Sequence, residues 1–486
     1  MKELRLGKKQ KAITLAALFS AAGVVYALIS LVNHYLFKTY ALDLGLYTHA
    51  MYDYAHFRMS DCSMFKVVPQ NLLSDHFDLY LMILSPLVYI FNTYTLLIVQ
   101  IAAALLGGWG IYKLIGLYTD DDWLPILATA AFFFSFGLIH PFTFDYHSNV
   151  LTTMILPWFL YYLKQRRFGL ASLFVVLFVI GKENMSLWLF FIAIGLMWDY
   201  RKDKKTLWHL AAYAVFAIAY FFIINMVVMP KLGGTGGGFA RYAYLGDNYV
   251  DIAKNLISHP LELARILFTN TSGKPHYDGI KTEFYLCTLA TGMIFTLLKP
   301  NYFFMLIPLI AQKMLATDRL FWGVSLQYSV EFMPILVISS FLVIIKLKKT
   351  IWQRVLAGVM FISTVLTTFY TIGVPKSYVK LDQICIYQGR HYEQKQFDVQ
   401  YVRELIQQIP DDASVCASTM IVPHLSLRPE IYDYQSVAPY IDTEYVIVTE
   451  AHYSLPFWRK PSMAERDDYE LLETDSRVFL LKKRQE

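Results

Sequence analysis

The sequence predicts an all-α polytopic membrane protein with a small α/β C-terminal extracytoplasmic domain, and three observations carry that prediction. Of 486 residues, 56% are hydrophobic and only 17% charged, where a soluble globular chain carries roughly 25% charge. The apolar residues gather into runs such as ITLAALFSAAGVVYALISLV and LAAYAVFAIAYFFIINMVVM, each about the 20 residues that cross a hydrocarbon core. From about residue 375 the runs become short and polar-flanked, which divides the chain into a transmembrane part, 1–374, and a soluble part, 375–486.

The N-terminus, KELRLGKKQK, leads straight into the first apolar run without a small-residue cleavage site, so it is expected to be a retained signal anchor. Eleven spans are expected, at about 12–37, 94–117, 123–140, 148–163, 168–181, 184–199, 207–229, 282–298, 302–315, 329–346 and 350–371. The run HFDLYLMILSPLVYIF, 76–91, is short and holds Asp78 and Pro86. It is placed flat on the outer side, because the basic clusters KKQK, KQRR, RKDKK, Lys299 and KLKK then all fall inside. The loops at 38–75, 141–147, 182–183, 230–281 and 316–328 then share the outer face, and an odd span count delivers the tail there too. In that tail FDVQYVRELIQQI has helical spacing, while SVCAS, EIYDY, YVIVTE and RVFLLKK read as strands.

The net charge of +5 lies in the clusters that set topology, so no nucleic-acid partner is expected. Four cysteines without a CxxC pair give no disulfide scaffold, although Cys385 and Cys416 could pair in an oxidising compartment.

The ionisable residues of the outer loops are the candidates for chemistry. Asp43, in YALDLGLYTHA, is a carboxylate at the membrane surface: a general base, or the cap of a helix starting near Leu44. His76 and Asp78 open the interfacial run. Asp145 and His147 stand two apart in HPFTFDYHSNV, where they could bind a metal, position a phosphate or close the turn by a local hydrogen bond. Lys182 and Glu183, in GKEN, are adjacent opposite charges in a tight turn beside hydrocarbon, expected to line the same cavity as Asp145 and His147. The run GGTGGGFARYAYLGDN lacks a P-loop ending; it offers a rearrangeable segment with Arg241 and Tyr244 as contacts. Tyr328 and Glu331 read as a buried structural pair.

The order LDLGLY, HFDLYLMILSPLVYIF, FDYHSNVLTTMILP, GKENMSLWLF, RYAYLG and VPHLSLRPEIYDY resembles a prokaryotic multi-pass family assigned to the GT-C superfamily of membrane glycosyltransferases, over about residues 40–450. The resemblance implies a GT-C-like fold in a prokaryotic plasma (inner) membrane, with the N-terminus cytoplasmic. It also implies sugar transfer from a polyprenyl-phosphate donor at the outer face, with Asp43 at the family's essential acidic position and inversion at the sugar. The family's Asp-Phe-His-Pro-Glu stretch reads Asp145-Tyr146-His147-Ser148-Asn149 here, without the final acid. No cofactor is singled out, and a divalent metal stays open.

The chemistry asks for a carboxylate to take the acceptor's proton and for cations or donors to meet the departing phosphate. Asp43 suits the first role; Lys182, Arg241 and His147 suit the second, and His76, Asp145, Glu183 and Tyr244 complete the expected substrate site. The acceptor, whether lipid, glycan or protein, is open. The competing classes are a lipid or glycan flippase and a scaffold that binds a lipid-linked glycan.

Overall fold

A computed structural model describes residues 6–65, 70–234, 237–373, 380–437, 442–454 and 462–484. The expected apolar runs are helical: α1 Lys8–Tyr35, α2 Leu46–Ala55, α3 Thr95–Ile115, α4 Trp123–Phe133, α5 Ser148–Lys164, α6 Phe168–Val179, α7 Glu183–Asp199 and α8 Lys204–Ile223. After two short helices, α9 Tyr249–Ser258 and α10 Pro260–Phe268, come α11 Ile280–Thr288, α12 Pro300–Met314, α13 Phe332–Ile344 and α14 Thr350–Gly373.

Length separates these helices, and the expected count of eleven spans is not upheld. Among the described residues four stretches are long and apolar enough to cross a membrane: Lys8–Tyr35, Tyr80–Ile115, Lys204–Lys231 and Thr350–Gly373. A fifth qualifies if Trp123–Phe133 and Phe136–Thr143, bent by 54°, make one broken span. Helices such as α6 and α13, with 12 and 13 residues, rise about 1.5 Å per residue and cover well under the ~30 Å hydrocarbon core. An apolar run reads the same whether it meets lipid or protein, and α13 is buried along nearly its whole length. The run at 76–91 is broken into Tyr80–Leu84 and Val88–Phe91 by a tight turn at Ser85–Leu87 with Pro86. It is then parted from α3 by Asn92 at φ 54°.

Close helix approach is written into GGWG of α3. A Cβ at Gly108 would stand 2.1 Å from Phe133 Cε1 and one at Gly107 2.5 Å from Met154 Sδ, so α4 and α5 can seat on α3 only against bare backbone.

The C-terminal part contains α15 Val399–Gln407, capped by the Asp398 carboxylate, which accepts from the Gln400 and Tyr401 N–H groups at 2.7 and 3.0 Å. A five-stranded sheet follows, built from β1 Val415–Ala417, β2 Ile431–Asp433, β3 Tyr445–Thr449, β4 Tyr469–Thr474 and β5 Val478–Lys483 in the order β2-β1-β3-β5-β4. β1 is parallel to β2 and β3; β5 is antiparallel to β3 and β4. Four strands match expectation. β4, YELLET, was not foreseen: it is an exposed edge with acidic residues, paired only to β5 and bulged at Leu471/Glu473. The expected boundary at 375 lies outside the described residues.

Cys385 and Cys416 are both free and buried. Cys385 belongs to the main helical core and Cys416 to the small core on one face of the sheet, so the disulfide does not form.

The exit of α1 is gripped by the C-terminal part. The Asn33 amide donates to Gln383 O at 2.9 Å, Lys38 Nζ donates to Asp382 O and His391 O at 3.0 and 2.8 Å, and the His34 ring stacks on His424 at 4.1 Å. Phe37, Ala41, Leu44, Tyr47 and Tyr146 share one core with Phe397, Val402, Leu405, Val415 and Val422. The first loop is therefore packed as core.

Candidate functional site

The site is built around Asp43. Its backbone has φ 66° and ψ −83°, close to the rare classic γ-turn, a conformation that costs a non-glycine residue about 1–3 kcal/mol and persists only where neighbours over-determine it. Those neighbours are identifiable. The Asp145 carboxylate accepts from the Tyr40 N–H at 3.2 Å and also from the Leu44 N–H, holding both sides of the turn. The Ala41 N–H donates to Thr419 O at 2.7 Å. Gly45 leaves room for the short helix α16 Val422–Leu425: a Cβ there would stand 3.0 Å from Val422 Cγ1.

The helix-cap reading of Asp43 is overturned. α2 begins at Leu46, its cap position is Gly45, and no side chain caps it. The half-buried Asp43 carboxylate is instead presented to a cluster of charges. Burial pushes it up to about 6, against the pull of Lys182 and His76 and a hydrogen bond from Tyr47.

Lys182 and Glu183 open α7 and form a relay with His76. Glu183 Oε1 lies 3.3 Å from His76 Nδ1, its Oε2 accepts from the Phe77 N–H at 3.1 Å, and Lys182 Nζ stands 3.4 Å from His76 Nε2. Burial would raise the Glu183 carboxyl, but the charge and hydrogen bond of His76, with Lys182 behind, outweigh it and bring it to about 2. Glu183 is thus a committed anion that orients its neighbours.

Asp145 and His147 come to the same cluster in roles other than those expected. Burial and the adjacent Asp43 charge drive Asp145 well above the usual carboxylate range, and its oxygens serve the first-loop backbone. His147 is pushed down to about 3 by burial and by Lys182, so near neutrality its imidazole is uncharged. Its Nε2 is buried without a hydrogen-bond partner. Both are held by Gln100 of α3, whose amide donates to Asp145 O and whose oxygen accepts from the His147 N–H, each at 3.0 Å.

Arg241 stands at the rim, its guanidinium 4.8 Å over the Phe321 ring, which stacks at 4.1 Å on Tyr328; Tyr328 feels the charges of both Asp43 and Arg241. Tyr244 is not part of the cluster: it is exposed, and its hydroxyl donates to Leu315 O at 2.9 Å. Tyr328 and Glu331 do not pair. Glu331 Oε1 accepts from the Asn149 amide at 2.7 Å, so Asn149 occupies the position of the missing family acid and binds one.

Three participants were absent from the expected site. Asp78, 2% exposed, accepts from the Tyr80 N–H at 2.8 Å, and burial raises it to about 7. Tyr47 follows Asp43 by one helical turn. Gln100 is the one polar residue in LLIVQIAAALL, a placement that asks for a partner by its cost alone.

Among the described residues no three His, Cys, Asp or Glu side chains converge as metal ligands.

Residues 33–476 match the family of predicted membrane proteins DUF2079. The chain belongs to that family. The match spans the first loop, the Lys182–Glu183 turn and the C-terminal sheet as far as β4, so this DUF2079 protein carries the whole cluster inside its family region. No curated protein matches it.

Proposed function

We propose that this membrane protein is a glycosyltransferase of the GT-C type, moving a sugar from a polyprenyl-phosphate donor to an acceptor at the outer face of a prokaryotic plasma membrane. The observation that carries the reading is Asp43: a half-buried carboxylate on a strained turn, raised toward neutrality and facing Lys182 and His76. Perturbed carboxylates on over-determined backbone mark functional sites.

The acceptor O–H gives its proton to Asp43 as its oxygen bonds to the anomeric carbon and the bond from that carbon to the phosphate oxygen breaks. The polyprenyl phosphate leaves with the electron pair, and Lys182 offsets its charge with charge-assisted hydrogen bonds. One displacement inverts the anomeric configuration. Glu183 and His76 orient Lys182, and Asp145 positions the Asp43 turn. A base raised to about 6 is ionised near neutrality while still basic enough to take a proton.

The test uses purified protein in vesicles loaded with polyprenyl-phosphate-linked radiolabelled sugars and envelope acceptors. Release of polyprenyl phosphate with label on the acceptor is the expected result. Transbilayer movement of intact donor would make the protein a flippase, and binding without either would make it a scaffold.

A further inference from the structure

The outer segment after the Gly-rich run contains a second surface, separate from the Asp43 cluster. Helices α9 and α10 form a hairpin whose inner residues Ile252, Leu256, Leu263 and Ile266 pack with Leu245 and Leu315. The hairpin is pinned to the helical body: buried Lys281 donates to Ile266 O at 2.6 Å and to Met314 O at 2.7 Å, with its Nζ 4.5 Å over the Trp322 ring. Its outward side chains therefore point in a fixed direction.

Those side chains repeat one pattern. On α9 they are Val250, Lys254 and Ile257; on α10 they are Leu261, Arg265 and Phe268. Each set has i, i+4, i+7 spacing, so apolar, basic and apolar residues share one face. Val250, Ile257, Leu261 and Phe268 are 61%, 80%, 87% and 61% exposed. The acids lie in the first turns, Asp251 on α9 and Glu262 on α10, where they suit the helix dipole; Asp251 is engaged by the Asn248 amide at 2.6 Å and stands 3.8 Å from Lys254 Nζ in an exposed ion pair. The surface continues onto α11. Phe268 packs on Tyr285 with ring centroids 5.0 Å apart, and Leu286 next to it is 61% exposed.

We infer that this hairpin lies in the membrane–water interface and binds the anionic phospholipid headgroups of the adjoining leaflet. The four apolar side chains enter the acyl boundary, while Lys254 and Arg265 lay their stems along them and meet lipid phosphates. A second protein chain fits less well, because Lys254 at the centre of the first stripe is a residue that interface cores exclude. The inference does not depend on glycosyl transfer.

The native cysteines are buried, so single cysteines at Ile257, Leu261 and Glu262 can carry an environment-sensitive fluorophore. The protein is reconstituted in phosphatidylcholine vesicles with or without phosphatidylglycerol, and quenched by nitroxide lipid or aqueous iodide. Labels at Ile257→Cys and Leu261→Cys should be blue-shifted and quenched by lipid, and Glu262→Cys by iodide. Phosphatidylglycerol should raise lipid quenching at 261 about twofold, and Lys254→Glu with Arg265→Glu should remove that rise. Iodide reaching 261 as freely as 262, protection of 261 from both quenchers, or indifference to phosphatidylglycerol would each overturn the inference.

Discussion

Two turns, the one at Asp43 and the one at Lys182–Glu183, each present a carboxylate at the same polar cluster, and they treat it in opposite ways. Asp43 sits on strained backbone and is raised to about 6 because burial outweighs its distant cations. Glu183 begins a relaxed helix and, against the upward push of burial, falls to about 2 because His76 is bonded directly to it with Lys182 behind. The difference teaches that the role follows from the partner's distance: the acid left without a bonded cation can take a proton, and the acid with one can only hold its neighbours in place.

The comparison breaks first at Asp145. Its oxygens hold the backbone on both sides of the Asp43 turn, so Asp145→Ala should let the turn relax and lower kcat by about 10²-fold, the cost of a misplaced group. Asp145→Asn, which keeps an acceptor oxygen, should retain most activity. Equal losses in both variants would give Asp145 a charge role instead.

Lys182→Met removes the cation facing the donor phosphate and should weaken binding of a polyprenyl-phosphate sugar by about tenfold, read by titration with labelled donor. Unchanged affinity in the folded variant would make Lys182 a structural partner of His76.

Glu183 gives a smaller, pH-dependent effect. Its carboxyl is lowered in the folded state from the ordinary 4.5 to about 2, so the stability it contributes is complete above about pH 4.5 and is lost as pH falls toward 2. Glu183→Gln should therefore melt below wild type at pH 7, by a few degrees, and the gap should close near pH 2.5. A gap independent of pH would show that packing, not charge, is at stake.

The sequence made the helices, four of the five strands and the polar residues of the loops legible, because apolar periodicity and the cost of charge near lipid are local signals. Span count was not legible, since burial against protein and burial in lipid use the same residues, as α13 shows. At the candidate site, Asp43, His76, Lys182 and Glu183 were singled out by their types and turns, and the structure brings them near one another. The clamp was not: Asp145 acting on the Tyr40 and Leu44 N–H groups and Thr419 holding Ala41 join residues more than 100 positions apart. Gln100 alone carried a readable signal, an amide inside an apolar run.

The most direct test of the central claim is the rate of transfer by Asp43→Asn beside the wild-type pH profile. Wild-type activity should rise with pH and level off above about 6, as the base ionises. Asp43→Asn should bind donor with unchanged affinity yet transfer sugar about 10²–10⁴-fold more slowly, with that rising limb gone. Transfer by Asp43→Asn at the wild-type rate, with the limb intact, would contradict the account.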